Sequence, residues 1–214
     1  MLSAPDDTHD TRQRLLEAAA EVFSEQGYRS ASIRQVCQRA GANVAAVHYH
    51  FGGKEELYLA LLRELGRRAF ERYPADFELG PAPAAEERLF AFVQAFLLRV
   101  LSPDGFGRHG RLLSREMIDP SPAFAEVIEE FIRPHFEYLC GVVGELTGLG
   151  PRDPHAVLAA RSIVAQCVFY HHARALLEQL APGEPRDPAA LRRIAEHVTR
   201  FSLAGLGGMK EARR

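Results

Sequence analysis

The stretch VAAVHYHFGGKEEL, Val44 to Leu57, decides how the rest of the chain is read. It sets His48, Tyr49, His50 and Phe51 side by side, then Gly52 and Gly53, then Lys54 and an apolar run. A helix turns by about 100° per residue, so four consecutive flat side chains cannot all lie on one buried face. Some of these rings face something other than a core. The residues before them, Val44, Ala45 and Ala46, are small, and Asn43 suits an N-cap. The spacing predicts a very short helix, from Val44 to about His50, stopped by the two glycines.

Upstream, Ser32 opens SIRQ, a capping box with Gln35. Ile33, Val36, Cys37 and Ala40 give a second short helix its buried side, and Gly41 fits a left-handed turn position. Two short helices joined by AGAN form a helix-turn-helix pattern. The second of them is almost uncharged and begins with small side chains. Such a helix can approach base edges, and Ala or Val methyls can touch thymine methyls. The rings at 48–50 can hydrogen-bond phosphate, and Lys54 brings an ammonium beside the free N–H groups of the next helix. His48 and His50 lie about 200° apart on a helix and cannot chelate one ion together, so no metal is expected. Phe51 and Tyr28 read as packing residues. Arg29, Arg34 and Arg39 read either as phosphate contacts or as a solvated face.

Helical periodicity extends in both directions. Leu15, Leu16, Ala19, Val22 and Phe23 form one stripe of a first helix, with Asp10 or Thr11 as its cap and Gly27 as its stop. A long helix from Lys54 to about Tyr73 turns Leu57, Tyr58, Leu61, Leu62 and Leu65 inward. Residues 74–85, PADFELGPAPAA, carry no period and read as the hinge between two units. Helical patterns then cover 85–102, 107–118, 122–147, 154–181 and 188–207. Prolines mark the breaks, except Pro134, which falls inside an apolar period. It removes the N–H that the Glu130 carbonyl would meet, so a kink is expected there. In the last helix Leu191, Ile194, Val198, Phe201 and Gly205 form a stripe read as buried. Strand signals are almost absent. The expected fold class is all-α: a three-helix DNA-binding domain over 10–56, followed by a larger helical domain over 57–210.

Bulk properties narrow the function. The 214 residues carry a formal net charge of −2, and residues 1–54 hold six Arg/Lys against six Asp/Glu. Any nucleic-acid site is therefore a local patch. The three cysteines, Cys37, Cys140 and Cys167, are far apart and form no CxxC, which points to buried thiols in a reducing compartment. The acidic start MLSAPDDTHD is not a signal peptide, and no apolar run is long enough to cross a membrane. A cytoplasmic location without membrane attachment is expected.

Residues 11–62 resemble the DNA-binding domain of the TetR family of transcriptional regulators. The resemblance is carried by LLEAAAEVFSEQGYRSASIRQVCQRAGANVAAVHYHFGGKEELYLALL, above all by Phe23…Gly27-Tyr28, Ser32-Ile33, Ala40-Gly41 and Tyr49-His50-Phe51…Lys54-Glu55. The chain departs from the family at His48, usually Tyr, and at Ala46, often Thr or Ser. The C-terminal stretch REMIDPSPAFAEVIEEFIRPHFEYLCGVVGELTG looks like a subgroup with a kinked ligand-domain helix. The resemblance implies a ligand-responsive, sequence-specific regulator, most often a repressor released from double-stranded DNA by a small molecule. It further implies a homodimer through the last two helices, on a palindromic operator. Together with the reading above, it gives a DNA-binding set of Ser32, Arg34, Asn43, Val44, Ala45, Ala46, His48, Tyr49, His50 and Lys54.

The candidate ligand site lies on the Pro134 helix. Phe124, Val127, Phe131, His135, Tyr138 and Val142 recur at three or four along one face. His135 and Tyr138 bring polar atoms to that face, which need partners from the protein or from a ligand. His171, in FYHHARALL, raises the same question, and Arg161 could share its face. The ligand-binding set is Phe131, His135, Tyr138 and His171, and the expected effector is small and largely apolar or aromatic. An all-helical enzyme using His135, Tyr138 and His171 as acid–base groups is the rival reading. No nucleophile motif, carboxylate pair or cofactor loop supports it, so no catalytic residue and no cofactor is expected. A partner-binding module without DNA affinity is the third alternative, separable by titration with DNA.

Overall fold

A computed structural model describes residues 5–102, 107–183 and 187–211. Among the described residues all regular structure is helical. The helices are α1 (Pro5–Ser30), α2 (Ile33–Ala40), α3 (Val44–Phe51), α4 (Lys54–Arg72), α5 (Ala85–Leu101) and α6 (Gly107–Ile118). After them come α7 (Phe124–Val127), a π-helical turn over Ile128–Ile132, α8 (Arg133–Thr147), α9 (Pro154–His172), α10 (Arg174–Leu180) and α11 (Pro188–Glu211). None of these is long and apolar enough to cross a membrane. Cys37, Cys140 and Cys167 are buried free thiols.

The chain forms two compact units that are not consecutive in sequence. The first comprises residues up to Arg68 together with Arg111–Glu129; the second comprises Ala69–Gly110 and Glu130 onward. In the first unit Leu15, Ala19, Val22 and Phe23 of α1 are buried, as are Val36, Val47, Leu57 and Leu61. The expected inward faces of α1, α2 and α4 are therefore present, although Ile33 and Leu65 are only half-buried. The start of α1 differs. The helix begins at Pro5, so Asp10 and Thr11 lie inside it and do not cap it; Asp10 pairs instead with Arg14 one turn on, at 3.1 Å. Gly27 does interrupt α1, at φ 78 and ψ 170. Tyr58 is buried and donates its hydroxyl to Glu116 Oε1 at 2.7 Å, while Ser121 donates its N–H and hydroxyl to Oε2 at 2.9 and 2.8 Å. A buried carboxylate is tolerated because three donors replace its water.

The second unit packs around α5. Leu89, Phe92, Val93 and Leu97 meet Leu139, Val142 and Val143 of α8, Ala160, Ile163 and Cys167 of α9, and Ala195, Val198 and Leu206 of α11. The irregularity expected at Pro134 takes a specific form. The π-helical turn Ile128–Ile132 comes first, and α8 then restarts with Pro134 in its opening turn. Proline is well placed at a helix start, where its missing N–H would have no partner in any case. The pattern expected over 154–181 divides at Ala173 into α9 and α10.

The stripe expected on the last helix is corrected. Leu191 and Val198 are buried, but Phe201 is 65% exposed and Gly205 is exposed. The inner line steps by four, from Val198 through Ser202 to Leu206, which leaves Phe201 on a neighbouring face.

Candidate nucleic-acid interface and ligand site

The turn between α2 and α3 is built from local bonds that the sequence specifies. Ser32 is extended at φ −122 and ψ 150; its side chain accepts from the Gln35 N–H at 3.3 Å, and its own N–H donates to Gln35 Oε1 at 2.8 Å. Gln35 Nε2 then donates to Gln26 Oε1 at 2.9 Å, which ties the cap to α1. Gly41 closes α2 in the left-handed region at φ 62, a conformation that costs a residue with a Cβ about 1–2 kcal/mol. The Arg14 guanidinium holds the last carbonyl of α2, that of Ala40, at 3.1 Å. Asn43 caps α3 by accepting from the Ala46 N–H at 2.8 Å.

The result is a short helix with half of its eight residues exposed. Val47 is the residue of α3 that is buried. Val44 is 39% and Tyr49 79% exposed. Ala45 and His48 are exposed, while Ala46 and His50 are half-buried. His48 Nδ1 lies 2.9 Å from the Gly52 carbonyl and so secures the end of α3. The His50 ring stands edge-on to Tyr49, with centroids 5.0 Å apart. Phe51 is half-buried under the Arg12 guanidinium, 5.2 Å from its centroid, as expected of a packing residue. Tyr28 packs likewise, its ring 6.3 Å from Phe23 and 4.9 Å from Tyr58.

Ser32 and Asn43 spend their side chains on caps and stay exposed. Arg34 is exposed and has no partner among the described residues. Arg29 and Arg39, whose alternatives were phosphate or solvent, are paired within the unit: Arg29 with Asp119 at 2.7 Å, and Arg39 with Glu25 at 3.0 Å and Glu21 at 3.4 Å. Lys54 is folded inward. Its ammonium sits over the Tyr28 ring at 4.6 Å and 3.4 Å from the Arg29 carbonyl, and burial lowers its pKa.

In the second unit Phe131 and His135 share one neighbour. Phe131 stacks on Phe70 at 5.6 Å and 11°, and the His135 ring lies 4.1 Å from Phe70. His135 Nδ1 is 2.8 Å from the Phe131 carbonyl, so one of its polar atoms is satisfied by its own helix. Burial, reinforced by the Arg99 charge, lowers the His135 pKa against the opposing effect of that bond. Tyr138 packs elsewhere, stacked on Phe92 at 6.4 Å, and burial raises its pKa. His171 is half-buried at the end of α9, 5.6 Å from the His172 ring. Arg161 is exposed and does not share an inward face with it.

The sequence reading missed Arg99. It lies on α5 at 4% exposure, donating Nη1 to the Tyr73 carbonyl, with its guanidinium 4.5 Å from the Phe70 centroid and 6.0 Å from that of Phe96. The available signal was its spacing. Arg99 follows Phe92 and Ala95 at seven and four residues, on the face that helix buries. Among the described residues no group of three or more His, Cys, Asp or Glu could hold a metal.

Comparison with known proteins agrees with this geometry. Residues 15–61 match the family model described as bacterial regulatory proteins, tetR family. Residues 85–206, more than half the chain, match the C-terminal domain of the HTH-type transcriptional dual regulator CecR. The chain is 27% identical over 176 residues to the HTH-type transcriptional dual regulator CecR of Shigella flexneri, covering 74% of each. It is 26% identical over 205 residues to the HTH-type transcriptional repressor NicS of Pseudomonas putida, covering 92% of each. Among solved structures, the transcriptional regulator FadR from Bacillus subtilis in complex with stearoyl-CoA shares the fold at TM-score 0.63 and 18% identity, over 90% of this chain and 98% of that one. An exposed, doubly capped α3 set by a glycine turn, and matches that together span both parts of the chain, lead to one assignment: the chain belongs to the TetR family of transcriptional regulators, with a C-terminal domain of the CecR type.

Proposed function

We propose that this regulator represses transcription as a homodimer on a palindromic operator and is released by a small molecule bound in its second unit. The observation that carries the DNA-facing part is α3, which buries Val47 and exposes Val44, Ala45, His48 and Tyr49. A helix with so little core of its own, fixed at both ends by caps, is suited to a surface that arrives later. Val44, Ala45 and Ala46 lie against bases; Tyr49, His50 and Lys54 hold the backbone, with Ser32, Arg34, Asn43 and His48 at the flanks. Residues 10–56 form the DNA-binding domain, and 57–210 serve the effector and the dimer. NicS is a transcriptional repressor, and the stearoyl-CoA bound to FadR is a precedent for a small-molecule ligand on this fold. The cytoplasm, where the operator is, is the compartment this function requires.

The effector site is built around Phe70, Phe131 and His135, with Tyr138 and His171 as further candidates. α4 begins at Lys54 in the first unit and ends at Arg72 in the second, so it is one element able to carry a change from effector to DNA. The ligand must differ in affinity between the DNA-competent and released states. Substitution of the backbone-holding residues separates roles. Lys54→Ala and Tyr49→Ala are expected to weaken binding to all duplexes alike, with Lys54→Ala lowering the salt slope by about 1. Val44→Ala is expected to change sequence preference at constant slope. Fluorescence anisotropy on a set of duplexes at several salt concentrations reads both. Altered preference with an unchanged slope in Lys54→Ala would refute the assignment.

A further inference from the structure

Arg99 is a buried cation with no counter-ion among the described residues. Its guanidinium offers five N–H donors, yet among the described residues the Tyr73 carbonyl is the acceptor it meets. It also lies over the rings of Phe70 and Phe96, 4.5 and 6.0 Å from their centroids. The titratable groups it acts on are Cys167, a thiol that burial keeps protonated, and His135, whose charged form it opposes. No carboxylate among the described residues pairs with it, and burial pulls its pKa down to about 9, so it stays charged at neutral pH. Elsewhere the protein compensates a buried charged group: Glu116 receives three donors. A desolvated charge lacking a partner is costly, and a ligand of opposite charge would remove that cost.

We propose that Arg99 receives a carboxylate on the effector, whose apolar body lies against Phe70, Phe96 and the Phe131–His135 turn. The inference rests on the effector-responsive reading above and names the class of molecule. A carboxylate fits because two oxygens match the guanidinium fork, and a single charge is easier to desolvate among aromatic rings than the double charge of a phosphate. The site also has a route to α4. Tyr73 follows the last residue of that helix, so a carboxylate competing for the guanidinium loosens the hold of Arg99 on the α4 end.

The test uses matched probes that differ only in charge: decanoate and decanol, 4-phenylbutyrate and 4-phenylbutanol, 2-naphthoate and 2-naphthalenemethanol. Each is titrated against the full chain, with melting temperature and release of an operator fragment as readouts. In at least one pair the carboxylate is expected to bind at least about tenfold more tightly than its alcohol, on the scale of a charge-assisted bond. Arg99→Met should reduce that ratio to within about twofold, whereas Arg99→Lys should keep part of it. If Arg99→Met does not fold, the wild-type ratio and Arg99→Lys decide. Alcohols binding as tightly as carboxylates in the wild type, a preference surviving in Arg99→Met, or no probe of either kind binding each overturns the assignment. Failure of the regulator reading looks different: the ligand-free protein would then lack salt-dependent operator binding.

Discussion

His135 holds one ring nitrogen against the Phe131 carbonyl and its ring against Phe70, in surroundings that disfavour its charged form. A histidine whose folded pKa is depressed binds fewer protons folded than unfolded. Stability is therefore full above the unfolded value, about 6.5, and falls as pH drops from there toward the folded pKa. His135→Leu is expected to flatten the dependence of melting temperature on pH below about 6.5, with the unfolding-linked uptake dropping by up to one proton. Unchanged acid dependence in that variant would show that another group carries it. Ser32, Gly41 and Asn43 were legible in the sequence because their roles are local, set by neighbours three residues away. For Arg99 the spacing along α5 signals burial but not what surrounds it, because Phe70, Tyr73, His135 and Cys167 come from α4, the residue after it, α8 and α9. The inward fold of Lys54 was not legible, because it depends on Tyr28 across a separate helix.

The helices themselves were readable from apolar period and cap chemistry, and their irregularities less so. The sequence placed a disturbance at Pro134 because proline lacks an N–H, but no spacing in the stretch announces the π-helical form of Ile128–Ile132. The division at Ala173 and the early start of α1 at Pro5 have no comparable residue signal. In α11 a stripe drawn at three-and-four spacing included Phe201, whereas packing selected the line through Ser202. The caps of the α2–α3 turn make a quantitative expectation possible. Asn43→Ala removes the acceptor for the Ala46 N–H and is expected to cost about 1 kcal/mol of stability, with a proportionally larger loss of operator affinity if α3 must be helical to dock. Chemical denaturation and operator titration of the same variant measure the two. Asn43→Gly, which the cap position tolerates better, should recover most of the stability.

At the scale of the whole molecule, α9 and α11 both carry large apolar side chains that are exposed. Leu158 and Phe169 on α9 are 55% and 50% exposed, and Phe201 on α11 is 65% exposed. These helices are the ones through which the family resemblance expects two copies to associate, and large exposed apolar side chains suit an interface core. Two copies related by a two-fold axis present two α3 helices, and the DNA they prefer should mirror that symmetry. Selection of bound sequences from a pool of random duplexes by the wild-type protein, repeated at low and high salt, addresses this directly. The expected outcome is enrichment of a palindrome whose half-site centres lie about one helical turn, roughly 34–36 Å, or a multiple apart, with affinity falling steeply as salt rises. Enrichment of a single unsymmetrical half-site at saturating protein, or no enrichment at any salt concentration, would mean that α3 does not read DNA as a symmetric pair.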